Sequence, residues 1–196
     1  AELWADAALA AELFAVDPYA LGGMVVRSWP GPPREQLCAW LRDLLPAERP
    51  LLRVPLHITE DRLLGGLALA ATLKAGRVVA ERGLLAQAHG GAVVVAMAER
   101  MEPQVASHLC MVLDRGELAI ERDGITAALP CRLGVVALDE GIDDERTSAA
   151  LRDRLALHLD LSGLTPRAAA TTAPDVNRVR AARLLFPRVA VDDELV

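Results

Sequence analysis

Two apolar runs constrain the fold of this 196-residue chain more than any other feature. Residues 92–97 and 133–138 contain no polar side chain, a pattern typical of strands that are buried on both faces of a parallel sheet. Shorter β-like runs lie at 23–27, 51–56 and 157–161, and helical spacing of apolar residues occurs between the runs. Strands that alternate with helices predict an α/β fold with a parallel sheet and right-handed crossovers.

Composition narrows the class of protein further. The chain is 53% hydrophobic but only 3% aromatic, and its 21 basic and 27 acidic residues give a net charge of −6. This balance argues against binding to nucleic acid or to an anionic membrane surface. No apolar run has the length of a membrane span and no signal-peptide pattern opens the chain, so we expect a cytoplasmic protein.

The cysteines and histidines give no sign of a metal site. The three cysteines are widely spaced in apolar segments and are predicted to be buried thiols: Cys38, Cys110 and Cys131. The four histidines are scattered, without acidic residues or cysteines at ligand spacing: His57, His89, His108 and His158. We therefore predict no bound metal.

Three units are predicted along the chain. Residues 1–161 hold the α/β core, and residues 162–174, rich in Thr, Ala and Pro, are a linker. Residues 175–196 then begin a helical lid, and because no further core follows, we expect a fragment of a longer protein. Within the core, residues 117–129 predict a β-hairpin with a charged turn, which we expect to project toward partner subunits or the lid.

The strand at 23–27, the loop after it and the next helix occupy the place of a phosphate-binding loop. That loop, G-x-x-x-x-G-K-[ST], binds phosphate oxygens through backbone N–H groups and its Lys, and Mg²⁺ through its hydroxyl. Here Ser28 and Pro33 stand at the two glycine positions with Gly31 between them, Arg34 replaces the Lys, and Glu35 replaces the hydroxyl residue. Prolines remove N–H donors and Glu35 adds a negative charge, so we predict that this loop no longer holds a nucleotide.

Two strand ends could carry the acidic pair of a Walker B motif, which orients Mg²⁺ and activates water. The run at the expected place ends in Ala96 and Met97, which are not acidic. The following run ends in Asp139 and Glu140, which match the motif one strand late. We interpret that pair as an ordinary strand end. The rival interpretation is a divergent but active ATPase that uses Arg34 with Asp139 and Glu140.

Taken in order, short segments of the chain resemble the AAA+ modules of magnesium chelatase D subunits, from bacteriochlorophyll and chlorophyll synthesis. The matching segments run from about residue 3 to residue 196 and include 15–18, 21–23, 59–67, 83–86, 97–100, 121–124, 136–141 and 153–155. The related I subunits keep working Walker motifs, and the departures at Arg34, Glu35, Ala96 and Met97 therefore favour the D type.

The resemblance implies a P-loop-type parallel sheet flanked by helices, with a hairpin insertion and the start of a lid. It places Asp139 and Glu140 at the end of the sensor-1 strand, with Gly141 where a sensor asparagine is expected. It also places Arg154 at the arginine-finger position, from which a guanidinium reaches a neighbouring subunit's triphosphate. From the residues alone, a salt bridge between Arg154 and Asp153 or Asp160 stays open.

The resemblance further implies a function: a non-hydrolysing assembly subunit in a ring or platform with the ATPase I subunit. The H subunit would carry the porphyrin, and the complex would insert Mg²⁺ into protoporphyrin IX at the expense of ATP. No catalytic residue and no bound cofactor is assigned to this chain itself, since ATP and Mg²⁺ are used by the complex. A porphyrin- or metal-binding module has little support, because aromatic residues are almost absent.

Overall fold

The computed structural model describes residues 2–67, 69–76, 80–122, 125–164 and 173–189. The strands are β1 (Gly23–Arg27), β2 (Leu51–Val54), β3 (Gly65–Leu67), β4 (Ala80–Arg82), β5 (Ala92–Ala96), β6 (Glu117–Arg122), β7 (Ile125–Pro130), β8 (Gly134–Asp139) and β9 (Leu157–Asp160). The helices are α1 (Glu2–Val16), α2 (Pro32–Leu44), α3 (Glu60–Leu64), α4 (Leu69–Ala75), α5 (Leu84–Gln87), α6 (Pro103–Arg115), α7 (Ala149–Arg152) and α8 (Val176–Leu185).

Five strands form one parallel sheet in the order β2-β5-β8-β1-β9, which confirms the predicted α/β fold class. The two long apolar runs become β5 and β8, and every residue of β8 is buried. Strand β1 lies between β8 and β9, with Arg27 in register with Asp139 on one side and Asp160 on the other. The loops after β1, β5 and β8 therefore meet at the carboxyl edge of the sheet, where open α/β sheets bind their ligands.

Helices cover both faces of the sheet and enclose two apolar clusters. One cluster packs residues of α3, α5, α6 and α7 against the sheet, including Leu63, Leu85, Leu109 and Leu151. The other packs α1, α2 and α8 against the opposite face, where Trp4 and Trp40 meet edge to face with ring centroids 5.4 Å apart. The core is thus a three-layer arrangement, with the sheet in the middle.

The predicted hairpin forms, but its first strand is not free of the core. Strands β6 and β7 pair antiparallel, and Leu118 and Ile120 are buried in the same cluster as Leu109. Because side chains of a strand alternate between faces, one face of β6 is apolar and joins the core. Strand β6 thus contributes to the core, while the expectation that the hairpin projects toward partner subunits or the lid stays a prediction, because its turn, Asp123 and Gly124, lies outside the described residues.

Helix α8 lies against α1 and α2 and is tied to them by charged side chains. Glu12 of α1, which is buried, accepts a hydrogen bond from the Asp175 backbone N–H at 2.7 Å and pairs with Arg178. Arg183 donates to the backbone oxygens of residues 15 and 44, at 2.8 and 2.5 Å, at the ends of α1 and α2.

Residues 165–172 of the predicted linker lie outside the described residues, and the division into core, linker and lid stays a prediction. Among the described helices, none is long and apolar enough to cross a membrane.

Candidate functional site

The loop between β1 and α2, which the sequence predicts at the position of a phosphate-binding loop, is short because α2 begins early. The sequence predicts a helix from residue 34, whereas α2 begins at Pro32, with Gly31 as its N-cap. Proline is favoured at the first helical position, since its fixed φ suits the helix and its missing N–H leaves no bond unmade. The N-terminus of a helix leaves four N–H groups unpaired, and Pro32 and Pro33 remove two of these four. The anion-binding capacity of this helix start is reduced accordingly.

Arg34, at the position of the motif's Lys, is already paired within the chain. Its guanidinium contacts the carboxylate of Glu140 at the end of β8, and less than a fifth of either side chain is exposed. The Glu140 backbone N–H donates at 3.0 Å to Glu99, whose side chain is fully buried. The structure therefore joins the ends of β1, β5 and β8 through charged groups of the chain itself.

Glu99 is a member of this site that sequence reasoning missed. It follows β5 in a 3-10 turn, Ala98–Arg100, that Met97 opens with a left-handed φ of +50°. One carboxylate oxygen of Glu99 has no hydrogen-bond partner among the described residues, and it lies 3.6 Å from the Nε atom of Arg100. Only its acidic character near the end of β5 could have drawn attention to it, and that signal is weak.

Asp139 acts as an anchor for the loop that follows β8. One carboxylate oxygen accepts from the N–H and hydroxyl of Thr147, at 2.8 and 3.0 Å. The other accepts from the N–H of Gly141 at 3.0 Å and from Arg27 at 3.3 Å. Burial raises the pKa of Asp139, but the hydrogen bonds from Thr147 and Gly141 and the charge of Arg27 outweigh it, so the pKa lies below its ordinary value. Asp139 is therefore ionised and fully engaged.

A cleft of about 280 Å³ opens beside this cluster, between α2 and the sheet. Its lining includes charged, apolar and thiol groups: Arg34, Glu35, Cys38, Arg42, Ala96 and Leu138. Ala96, at the predicted Walker B position, contributes only a methyl group to this lining. Ser28 is buried, and its hydroxyl donates to the backbone oxygen of Trp29. Cys38 is half-buried here rather than fully buried as expected, whereas Cys110 and Cys131 are buried.

Arg154 lies away from this edge of the sheet. Its backbone oxygen packs against Gly22, which precedes β1, so it belongs to the amino edge. Its Nε and Nη2 atoms contact the two carboxylate oxygens of Asp114, at 2.7 and 2.8 Å, and Nη1 donates to the backbone oxygen of Ala150 at 2.7 Å. The salt bridge that the sequence suggested thus exists with a different partner: Asp114 at the end of α6, rather than Asp153 or Asp160.

Within the described ranges, no group of three or more His, Cys, Asp or Glu residues could hold a metal ion. Two histidines do share one cavity, between α3 and α6. His57 lies 3.8 Å from Glu102, and His108 lies 3.5 Å from Glu60. Each of these histidines thus lies near a carboxylate at the start of a helix, and the buried Nε2 atom of His108 has no hydrogen-bond partner among the described residues.

Comparisons with known proteins give relatives by sequence and by fold. No protein-family model matches the chain. It is 37% identical over 192 residues to the magnesium-chelatase 60 kDa subunit of Cereibacter sphaeroides, covering 97% of this chain and 31% of that relative. It is 35% identical over 145 residues to the magnesium-chelatase 67 kDa subunit of Chlorobaculum parvum, covering 74% of this chain and 23% of that relative. The chain therefore spans less than a third of the length of these relatives.

A solved structure shares the fold. A model of the complex between subunits BchI and BchD of magnesium chelatase, based on a cryo-EM reconstruction, aligns with a TM-score of 0.61 at 23% identity. The alignment covers 94% of this chain and 76% of the other. At this identity the likeness shows the fold, which is the AAA+ arrangement of a parallel sheet flanked by helices.

Proposed function

We propose that this chain, which belongs to the magnesium-chelatase subunit family, is a non-hydrolysing AAA+ assembly subunit of the D type. In this proposal the chain forms a ring or platform with the ATPase I subunit and works with the porphyrin-carrying H subunit. The complex inserts Mg²⁺ into protoporphyrin IX with ATP, as a ligase that forms nitrogen–metal bonds. The proposed location is the bacterial cytoplasm, where ATP is available to the I subunit. The proposal keeps the division into core (1–161), linker (162–174) and the beginning of a lid (175–196).

The ion pair between Arg34 and Glu140 carries this proposal. An incoming triphosphate would have to separate Arg34 from Glu140 and would then meet the freed carboxylate, together with Glu35. Removing one partner from a largely buried pair is costly, because the remaining charge is left without compensation. With Pro32 and Pro33 removing two N–H donors, little remains to offset that cost.

The rival function, an active ATPase, needs Arg34 with Asp139 and Glu140 at the nucleotide. Asp139 accepts four hydrogen bonds and Glu140 pairs with Arg34, so these groups would first have to abandon their present partners.

One experiment tests the proposal and separates it from the rival function. A fluorescent ATP analogue is titrated onto the purified chain with and without Mg²⁺, and phosphate release is measured alongside.

We expect no binding in the range where an I subunit, run in parallel as the positive control, saturates. We also expect no hydrolysis above background. Magnesium-dependent turnover that disappears in Glu140→Gln would refute the proposal and establish the rival.

The proposal also assigns Arg154 the role of an arginine finger that acts on the I subunit's nucleotide. Guanidinium suits this role because it is always charged and can hold two phosphate oxygens in a fixed geometry. About a third of the Arg154 side chain is exposed, so a neighbouring subunit could reach it. Fingers supplied in trans contribute roughly 10³–10⁵ in rate in GTPases, and a ring with several kinds of interface would show a smaller loss.

The test is ATP hydrolysis by the mixed complex at a saturating amount of this chain. Arg154→Ala should lower the rate while the complex still assembles, and Arg152→Ala, two residues earlier at the end of α7, is the matched control. A wild-type rate in Arg154→Ala, or a loss that follows only from failed assembly, would exclude the finger.

A further inference from the structure

The contacts of Arg154 engage three of the five N–H groups of its guanidinium. A guanidinium carries five N–H donors, and within the described chain three of those of Arg154 have acceptors: two on Asp114 and one on the backbone oxygen of Ala150. The fork of Nε and Nη2 holds the carboxylate with two parallel bonds, which is the geometry that fixes a guanidinium plane most firmly. Two N–H groups, one on Nη1 and one on Nη2, therefore have no acceptor among the described residues.

This arrangement differs from an ordinary pair of charged residues on one helix. Asp114 lies in the last turn of α6, forty residues before Arg154 in the chain, and both line an open groove of about 540 Å³ between α6 and α7. The hydrogen bond from Arg154 lowers the pKa of Asp114, so the carboxylate is charged at neutral pH and the pair is maintained. The guanidinium is thereby fixed relative to the folded core and not only to the short helix α7 that precedes it.

We propose that Asp114 is a positioning residue for Arg154: it holds the guanidinium so that its two unengaged N–H groups are presented to the phosphate oxygens of a neighbouring subunit's nucleotide. The inference rests on the proposed function of Arg154 and adds a second residue to it. A long side chain that is already ordered loses less rotamer freedom when it binds, and small errors of position in a catalytic group are costly in rate.

One physical effect opposes this role. The carboxylate of Asp114 cancels part of the positive charge that would attract a triphosphate, so its removal would strengthen the long-range attraction. Both side chains are partly exposed, and exposed charges are screened beyond about 8–10 Å at physiological salt. At contact distance the orientation of the fork matters more than the net charge, because the two phosphate oxygens must meet two parallel N–H groups. Positioning therefore outweighs the loss of attraction.

The experiment is a double-mutant cycle on the mixed complex of this chain with the I subunit. The variants are Asp114→Ala, Arg154→Ala and the double variant; Asp114→Asn and Asp114→Glu test size and charge, and Asp153→Ala is the control. Asp153 is exposed and adjacent to Arg154, without a hydrogen bond to it among the described contacts. Both kcat and KM for ATP are measured with the I subunit saturated by this chain. Native mass spectrometry monitors assembly of the complex.

We expect Asp114→Ala to lower kcat about two- to fivefold, the range that an exposed charge pair allows, with KM unchanged. Asp114→Glu should recover part of the rate, Asp114→Asn should resemble Asp114→Ala, and Asp153→Ala should resemble the wild type. In the Arg154→Ala background, Asp114→Ala should have no further effect, since a positioning residue acts only through the group that it positions.

Three results would overturn the inference, and they are distinguishable. If Arg154→Ala lowers kcat while Asp114→Ala leaves it unchanged or raises it, the finger stands and the positioning role fails. A further loss in the double variant would show that Asp114 acts independently of Arg154. If Arg154→Ala itself has no effect, both the finger and its positioning are wrong. Should Asp114→Ala fail to assemble, the Asp114→Asn variant, which keeps the size of the side chain, decides by the same criteria.

Discussion

Replacement of Asp139 by Asn should destabilise the chain, because this carboxylate is an anchor and not an unoccupied metal ligand. Its side chain is 2% exposed, and its two oxygens accept hydrogen bonds from four donors. Asn has nearly the same shape but only one acceptor atom. If its amide oxygen faces Thr147, its NH₂ group faces the N–H of Gly141 and the guanidinium of Arg27. An NH₂ group cannot accept a hydrogen bond, so the bonds from Gly141 and Arg27 are lost.

The expected cost follows from the bonds that are lost. Hydrogen bonds to charged groups contribute about 1.5–3 kcal/mol each, and part of that cost is relieved when the loop relaxes. We expect Asp139→Asn to lower the free energy of unfolding by roughly 2–4 kcal/mol. For a chain of this size that corresponds to a fall in Tm of roughly 5–15 °C.

Urea unfolding of the chain at pH 7 measures this difference, with Asp160→Asn as the control. Asp160 lies in register with Arg27 on the other side of β1, but it is exposed, and among the described residues its carboxylate accepts hydrogen bonds only from Ser162. Asp160→Asn should lower the free energy of unfolding much less than Asp139→Asn does. A carboxylate kept for catalysis usually costs stability, so a gain in stability for Asp139→Asn would refute the reasoning.

The pH dependence gives a second readout of the same anchor. The pKa of Asp139 in the folded chain lies below its ordinary value, so the folded state favours the ionised form. Its contribution is therefore fully present above the unfolded pKa, about 3.9, and is lost as pH falls through the lower folded pKa. The difference between wild type and Asp139→Asn should shrink in this acidic window and be constant from pH 6 to pH 8.

Three further predictions concern the fold. Gly23→Ala should lower the free energy of unfolding, measured in urea, by about 2 kcal/mol or more beyond the loss in Gly31→Ala. Both glycines have nearly the same φ, +147° and +148°. A Cβ at Gly23 would lie 1.9 Å from a backbone oxygen of β8, whereas a Cβ at Gly31 would meet nothing within 4 Å. Glu12→Gln should speed hydrogen exchange of the amides of α8 relative to those of α6, because it weakens the tie between α1 and α8; unchanged exchange would mean that apolar packing alone holds α8. Burial raises the pKa of Cys131 to about 12, so at pH 8 an alkylating reagent should modify Cys38 first, and mass spectrometry that finds Cys131 labelled first would contradict the structure.

The central strands could be predicted from the sequence because their physical signal is local. Strands β5 and β8 are buried on both faces, so each needs apolar residues at every position, and the runs at 92–97 and 133–138 supply them. The sequence pattern places the start of α2 two residues late, because Pro32 and Pro33 are typical of loops, although proline is also favoured at the start of a helix. At such a boundary the preference of proline for loops and its preference for helix starts give different predictions. The packing of the loop then determines where the helix begins.

The partners of charged side chains could not be predicted, since they depend on which elements meet in space. The sequence suggested near neighbours for Arg154, but α6 brings Asp114 to it from forty residues away. In the same way, the sequence placed Arg34 and Glu140 in two separate motifs, and the parallel register of β1 and β8 brings the two motifs to one edge. Sequence patterns therefore identified the candidate groups, whereas sheet topology determined how they pair.

The pairing of Arg34 with Glu140 gives a physical reason why this core can remain folded without a nucleotide. In a working phosphate-binding loop, the cation and the N–H groups at the helix start are satisfied by the ligand, so an empty loop leaves them unpaired. Here the loop is filled by groups of the chain: prolines take the place of two N–H donors, Glu140 compensates Arg34, and the N–H of Ser28 donates to the backbone oxygen of Asp139 at 3.0 Å. Under the proposed function, a core that does not depend on bound ATP would keep one shape while neighbouring subunits hydrolyse theirs. A platform in a ring would require that constancy, and the substitutions that we propose to prevent nucleotide binding would provide it.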